Sequence, residues 1–398
     1  MQHVYLDHAA TTPTDPRVLA AMLPFFHEKY ANPSSFHSKG LEAKRAVSDA
    51  RGRIARILNV REDEIIFTGN GTESDNLAVT GIVRAYKEKG RHVITSSIEH
   101  PAVLETLQHM AKKGEIDLTV LAVDRDGLVS VDAFVAALRD DTVLVSIMMA
   151  NNEIGTIEPI AEIGRAILKW RKDKLTPLPY FHTDACQAAG ALDLDIEKLH
   201  VDLLTFNGSK IYGPKGIGAL YVRRSVKVEP MIRGGGQEKN YRSGTENVPG
   251  IIGLATALEL AQAAKDSENL RLAALRDRLI VGLLRIPKSR LNGHPTTRLP
   301  NNANISFLDI EGEAMILYMD AKGIYVSTGS ACASTSLDPS HVILATGLSY
   351  EAAHGSIRFS LGRDTTQEDV DYVITEMPGI VERLRHMSPV NLDMKHFA

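Results

Sequence analysis

The chain has 398 residues, a formal net charge of −4, 44% apolar residues and 24% charged residues. At about 150 residues per domain that is room for two or three domains with cores large enough to need no disulfide or metal. The composition excludes a disordered chain, and the lack of a basic excess argues against non-specific nucleic-acid binding.

Val4–Leu6 reads as one short strand, too little for a domain, and the first dozen residues are expected to pack on the C-terminal part or over a site. Short β-rich runs then alternate with amphipathic helical stretches. Gly40–Leu58 reads as a helix, followed by strand Glu64–Thr68, helix Glu73–Lys89 and strand His92–Ser96. Helix Ala102–Lys113, strand Leu118–Val123, helix Val131–Leu138 and strand Thr142–Met148 continue the alternation. Helix Ile160–Trp170 places Ile160, Ile163, Ile167 and Trp170 on one face. Strands Tyr180–Asp184, Leu203–Asn207 and Gly218–Val222 complete this part. Strands alternating with helices predict βαβ crossovers and a mainly parallel sheet covered on both faces. After about Val248 the pattern changes to a long helix, Pro249–Leu284, and shorter strands near Asn304–Phe307 and Ser356–Ser360. The expected architecture is α/β. Residues 13–255 form a large domain, and residues 1–12 and 256–398 form a smaller α+β domain.

Two cysteines, Cys186 and Cys332, exclude a disulfide scaffold and a Cys-rich zinc site. They point to a reducing compartment, here the cytoplasm. No signal peptide is expected, because Met1–Thr12 lacks a basic region followed by an apolar stretch. The longest apolar candidate, Val143–Ala150, is far short of the ~18 residues of a membrane span, so no membrane partner is expected.

Ligands of open α/β sheets bind outside the carboxyl ends of the parallel strands. Five strands drop polar residues there: Gly69–Ser74, Glu99-His100, Asn151-Asn152-Glu153, Asp184 to Gln187, and Asn207 to Lys210. In Gly69–Ser74, glycines let backbone approach a ligand, and the following helix start offers N–H groups and a hydroxyl from Thr72 or Ser74. That suits a phosphate, the alternative being an ordinary helix start capped by Thr72. The Walker ending and the dinucleotide glycine spacing are both missing. Asp184 ends an apolar strand and is either a cap or a counter-ion for a protonated ring nitrogen. Lys210 stands between an apolar strand and a Gly/Pro-rich turn, where a lysine can form a Schiff base. His100 alone reads as a satisfied histidine near a helix start. A Schiff-base lysine, an acid for a pyridine nitrogen and a phosphate cradle are the needs of pyridoxal phosphate rather than of a nicotinamide.

Cys332 lies in a run of small polar residues, 327–336, where an exposed thiol is a candidate nucleophile, while Cys186 reads as a buried spacer. Arg358 alternates with apolar neighbours and either clamps a carboxylate or faces solvent.

Tyr5 to Pro13, Asn32-Pro33-Ser34-Ser35, Thr72 to Asn76, Glu99-His100, Asn151 to Gly155, His182 to Ala185, Lys210 to Gly216, Arg242 to Thr245 and Gly329 to Cys332 together resemble cysteine desulfurases. The resemblance is to the branch that supplies sulfur for iron–sulfur clusters and tRNA thiolation, and it spans about residues 4–388. It implies a fold-type I pyridoxal phosphate enzyme of the class V aminotransferase group, working as a homodimer. It implies Lys210 as the Schiff-base lysine, Asp184 at the pyridine nitrogen, His100 stacked on the ring and Gln187 at the ring hydroxyl. It gives the phosphate to Gly71, Thr72 and Ser209, with Thr245 from the other subunit. Asn152 and Arg358 would hold the substrate carboxylate, and Cys332 would take sulfur from L-cysteine before passing it to a scaffold or other acceptor protein. The sequence departs from the family at Ser209, where a histidine is usual, at Asn70, in a long connection Arg171–Pro179 expected as a solvated loop, and in a short tail after Pro389. A selenocysteine lyase, and a sulfur-relay or scaffold-binding protein weakened in cofactor binding by Ser209, are the competing readings.

Overall fold

The computed structural model describes residues 2–329 and 338–397, so Cys332 lies outside the described residues. Its strands are β1 (Val4–Tyr5), β2 (Ile65–Thr68), β3 (His92–Ser96), β4 (Asp117–Leu121), β5 (Thr142–Ser146), β6 (Tyr180–Asp184), β7 (Leu203–Asn207), β8 (Gly218–Val222), β9 (Ser289–Asn292), β10 (Asn302–Phe307), β11 (Ile324–Tyr325) and β12 (Ser356–Ser360). A seven-stranded sheet runs in the order β2-β8-β7-β6-β5-β3-β4. β3 to β7 are mutually parallel, whereas β8 is antiparallel to both β7 and β2. The β7–β8 connection has a turn and no crossover helix, and such a link reverses the chain.

Both faces of the sheet are covered, as the runs of apolar residues predict. Ile94, Val145, Phe181 and Leu204 pack into one layer, and Val93, Leu144, Tyr180 and Leu203 into the layer opposite. That is the two-residue alternation of strand side chains. A second core surrounds the antiparallel sheet β12-β10-β9 and includes Ile305, Phe307, Ile357 and Phe359. The helix Val248–Leu283 serves both cores. Its first half, Ile251 to Ala261, packs with the large sheet, and Leu272, Leu279 and Leu283 pack with the small one. Asn247 caps it by accepting from Gly250 N–H, with Pro249 in the first turn, where a missing N–H costs nothing.

The N-terminal segment joins the small sheet region, since β1 pairs in parallel with β11. The expected loop at Arg171–Pro179 is a correction. Arg171 to Lys174 continue the helix Ile160–Lys174, which ends at Leu175 in the left-handed region. Basic residues suit that last turn. Arg171 is itself mostly buried, paired with Asp202 and donating from Nε to the Pro179 carbonyl at 3.0 Å. Among the described residues no helix is long and apolar enough to cross a membrane.

Candidate active site

A cavity of about 330 Å³ opens at the carboxyl ends of the parallel strands. It is lined by Gly71, Thr72, His100, Asn152, Asp184, Gln187, Ser209, Lys210 and Arg358, and so brings together residues from five separate strand ends and from β12. Thr245 is exposed and does not line it.

The helix Gly71–Ala85 begins at one wall. Its cap is Asn70 rather than Thr72, because the Asn70 Oδ1 accepts from Glu73 N–H at 2.9 Å. This releases the Thr72 side chain from capping and places it on the cavity. A Cβ on Gly71 would stand 2.7 Å from Cys186 Sγ and 3.0 Å from Asn207 Nδ2. The residue there must therefore be glycine, and its backbone is free to approach a ligand. Cys186 is buried, as expected of a spacer, and burial pushes its thiol pKa up.

Lys210 follows β7 in a single 3-10 turn, Gly208–Lys210. Its Nζ reaches the carbonyls of Ala9 at 2.8 Å and Ala10 at 2.5 Å, so the N-terminal segment lies directly on the lysine. Asp184, at the end of β6, is nearly buried, and its Oδ1 accepts the Cys186 N–H at 2.8 Å. Asp75 lies behind it. Its Oδ1 is buried without a hydrogen-bond partner, and desolvation, reinforced by the Asp184 charge, raises its pKa well above the usual carboxylate range. His182, under the same strand end, is held neutral: burial lowers its pKa to about 4, and its ring bonds Ser146 and Thr205 hydroxyls.

His100 caps the helix Pro101–Lys112. Its Nδ1 accepts from Ala102 N–H at 3.1 Å, which leaves the proton of the neutral ring on Nε2. Burial lowers its pKa, so a neutral ring lines the cavity without a charge to desolvate.

Arg358 is deeply buried on β12. Its Nη2 pairs with Asp7 at 2.9 Å and its Nη1 donates to the Asn152 carbonyl at 3.1 Å, while Nε has no partner. A guanidinium so held is fixed from two sides on the cavity it lines, and a guanidinium is the group suited to a carboxylate. Sequence reasoning gave Asp7 no role, although it lies in the quoted Tyr5–Pro13 run. The signal available was an acid in a strand-end segment, and nothing in the sequence indicates its partner. Glu153 is likewise brought to the cavity wall, where its carboxylate accepts from the Ser340 hydroxyl.

The residues fit pyridoxal phosphate. A lysine Nζ and a buried carboxylate share one cavity, and a glycine backbone that tolerates no Cβ marks the phosphate side.

Glu99 supplies a pH test. It is fully buried beneath His100, its Oε1 accepts from Ser96 Oγ and Met148 N–H, and its Oε2 has no partner. Burial, chiefly, raises its pKa from 4.5 to about 8. The folded state thus binds this proton more tightly than the unfolded chain does. The resulting stability is full below pH 4.5 and disappears as pH rises through 8, by up to about 1.4 kcal/mol per pH unit. Glu99→Gln keeps both acceptor bonds and does not titrate. Urea unfolding at pH 5 and pH 8.5 is expected to show a smaller loss of stability for the variant than for the parent. Parallel pH profiles would mean that Glu99 is ionised in the folded protein.

Comparison with known proteins agrees with this geometry. Residues 4–373 match the family model described as Aminotransferase class-V. The chain is 53% identical over 387 residues to a protein of Methanosarcina thermophila named Cysteine desulfurase IscS, covering 97% of this chain and 94% of that one. It is 51% identical over 392 residues to the protein of the same name from Clostridium botulinum strain Hall, covering 98% and 97%. Among solved structures it is similar to a NifS-like protein, with a TM-score of 0.89 and 38% identity over 96% of this chain and 100% of that one.

Proposed function

This chain belongs to the class V aminotransferase family and is a pyridoxal phosphate-dependent cysteine desulfurase, and from that premise we propose how its residues divide the work. The observation that carries the proposal is the single cavity shared by Lys210, Asp184, His100 and Arg358.

Gly71, Thr72 and Ser209 would hold the cofactor phosphate, with Thr245 of the partner subunit completing the cradle. Ser209 replaces the family histidine and keeps one hydroxyl donor at the cavity. Asp184 would keep the ring nitrogen protonated, His100 would lie against the ring, and Gln187 would meet the ring hydroxyl. When bound, pyridoxal phosphate supplies a carbonyl carbon for the substrate amine and an electron sink for charge left at the α-carbon. Arg358 and Asn152 would fix the carboxylate of L-cysteine. Lys210 would take the α-proton of L-cysteine as the general base. The Cys332 thiolate would then attack the substrate sulfur. One S–S bond forms and one C–S bond breaks, the electron pair of the broken bond stays with carbon, and protonation completes L-alanine. Cys332 is left as a persulfide, and its outer sulfur goes to an acceptor protein.

The acceptor is proposed to be an iron–sulfur scaffold or a tRNA-thiolation carrier, and the compartment the cytoplasm. A homodimer is supported by the exposed apolar side chains Leu19, Leu23, Phe26, Tyr30 and Phe36, which lie close together in the chain and await cover.

The test is the stoichiometry of alanine and sulfide formed from L-cysteine with pyridoxal phosphate and a thiol reductant. Equal amounts over many turnovers are expected. Neither product, together with no yellow absorbance after reconstitution, would favour the relay reading that Ser209 raises. A preference for selenocysteine in direct competition would favour the lyase.

A further inference from the structure

Four consecutive carbonyls of the turn after β5 are each taken by a donor from the part of the chain beyond residue 290. Arg358 Nη1 donates to the Asn152 carbonyl at 3.1 Å, Asn304 Nδ2 to that of Glu153 at 3.2 Å, Arg298 Nη2 to that of Ile154 at 3.0 Å, and the Leu299 N–H to that of Gly155 at 2.8 Å. Asn151 closes the same turn from within, its Oδ1 accepting the N–H groups of Glu153 and Ile154. The approach is close. Gly155 has φ +77°, and a Cβ there would stand 2.8 Å from Asn302 Oδ1. The turn that carries Asn152 is thus a seam between the two cores.

Arg298 is the costly member of this seam. The residue is 4% exposed, and its guanidinium donates to carbonyls alone, those of Asn302, Asn292, His294 and Ile154. No carboxylate among the described residues pairs with it. A buried cation without a counter-ion is expensive, so an apolar side chain would serve better if filling space were its use. Burial, followed by the neighbouring Arg276 charge, lowers its pKa to about 9, which is still high enough to keep it charged at neutral pH. What a rigid fork does, and an apolar side chain cannot, is hold several carbonyls from different segments in one fixed arrangement.

We propose that Arg298 is a positioning residue for the substrate carboxylate: it locks the 152–155 turn against the small sheet and so sets the spacing between Asn152 and Arg358. The proposal rests on the reading of those two residues as the carboxylate site. Asn152 follows β5 and Arg358 stands on β12; one direct bond, from Nη1 to the Asn152 carbonyl, joins them, and the other seam contacts fix the turn that aims the Asn152 side chain. Arg298 touches neither the cavity nor the ligand, and its influence travels through the Ile154 carbonyl two residues from Asn152.

The experiment compares two amines that differ only in a carboxylate. L-Alanine and ethylamine are titrated into the holoenzyme, and binding is read from the change in cofactor absorbance without turnover. The quantity measured is the ratio of the ethylamine Kd to the L-alanine Kd. Misplacing a group by about 1 Å can cost ~10²-fold, and Arg298→Met is expected to lower the ratio by about tenfold while leaving ethylamine affinity within about twofold. Arg358→Lys is expected to lower it as well. Arg298→Lys keeps the charge but not the fork, and is expected to fall between; it carries the test alone if the methionine variant does not fold. A ratio lowered by Arg358→Lys but unchanged in the Arg298 variants would overturn the positioning role and leave the carboxylate site standing. A ratio unchanged in all three would overturn both.

Discussion

Lys210→Ala is expected to abolish desulfuration, with turnover at least ~10³-fold below the parent, in the range removed with a general base. The argument is local. Lys210 is the lysine that lines the cavity, and the carbonyls of Ala9 and Ala10 aim its amine along one wall. The nearest other lysine in sequence, Lys215, donates to the Thr12 carbonyl at 3.4 Å and is absent from the cavity lining. It cannot take over without a backbone movement. Borohydride reduction followed by peptide mass spectrometry is the measurement. The parent should carry the reduced cofactor on Lys210, and the variant should carry none. Cofactor fixed to a different lysine, with activity retained, would overturn the assignment.

Cys332→Ala is expected to separate cofactor chemistry from sulfur transfer. The variant should bind pyridoxal phosphate with the parent's spectrum, since no described residue that lines the cavity is changed. Sulfide output should fall to the background of the thiol reductant acting alone. Cys186 does not substitute for it. It is buried beside Gly71, and desolvation together with the Asp184 charge pushes its thiol pKa far up, so almost no thiolate forms at neutral pH. Persulfide can be followed by alkylation and mass spectrometry after one addition of L-cysteine. Undiminished sulfide from the variant would remove Cys332 from the mechanism.

Much of the fold was legible because its signals are periodic. The strands of the large sheet are apolar runs between helical stretches, and β3, β5, β6 and β7 fall within the runs read from sequence. β9 was not read. Ser289, Arg290, Leu291 and Asn292 show neither an apolar run nor a clear alternation, and the strand exists because β10 offers it a ladder. The last turn of the helix Ile160–Lys174 was missed for a related reason. Its charges resemble a solvated loop, and Lys172, Asp173 and Lys174 are indeed exposed, whereas Arg171 turns inward to pair with Asp202. In the site, side chains delivered by strand ends could be found in chain order, and Gly71, Asp184 and Lys210 were. Groups that act through backbone carbonyls could not. Arg298 and Asn304 hold the 152–155 turn by contacts that leave no spacing rule behind. Asp7 is similar, since its partner Arg358 lies at the other end of the chain.

The pairing of β1 with β11 has a consequence for how the chain is made. Val4 leaves the ribosome long before its ladder partner Ile324 is synthesised. Until then the segment that carries the Ala9 and Ala10 carbonyls is held from its other side, where Thr12 N–H donates to the Ser209 carbonyl and Gln187 Nε2 to that of Ala9. The large sheet also waits, because Ile251 to Ala261 complete its core. Contacts of such sequence separation form late and slowly. A nascent chain therefore holds most of its sheet before it holds a finished cofactor site, whose Arg358 wall arrives with β12.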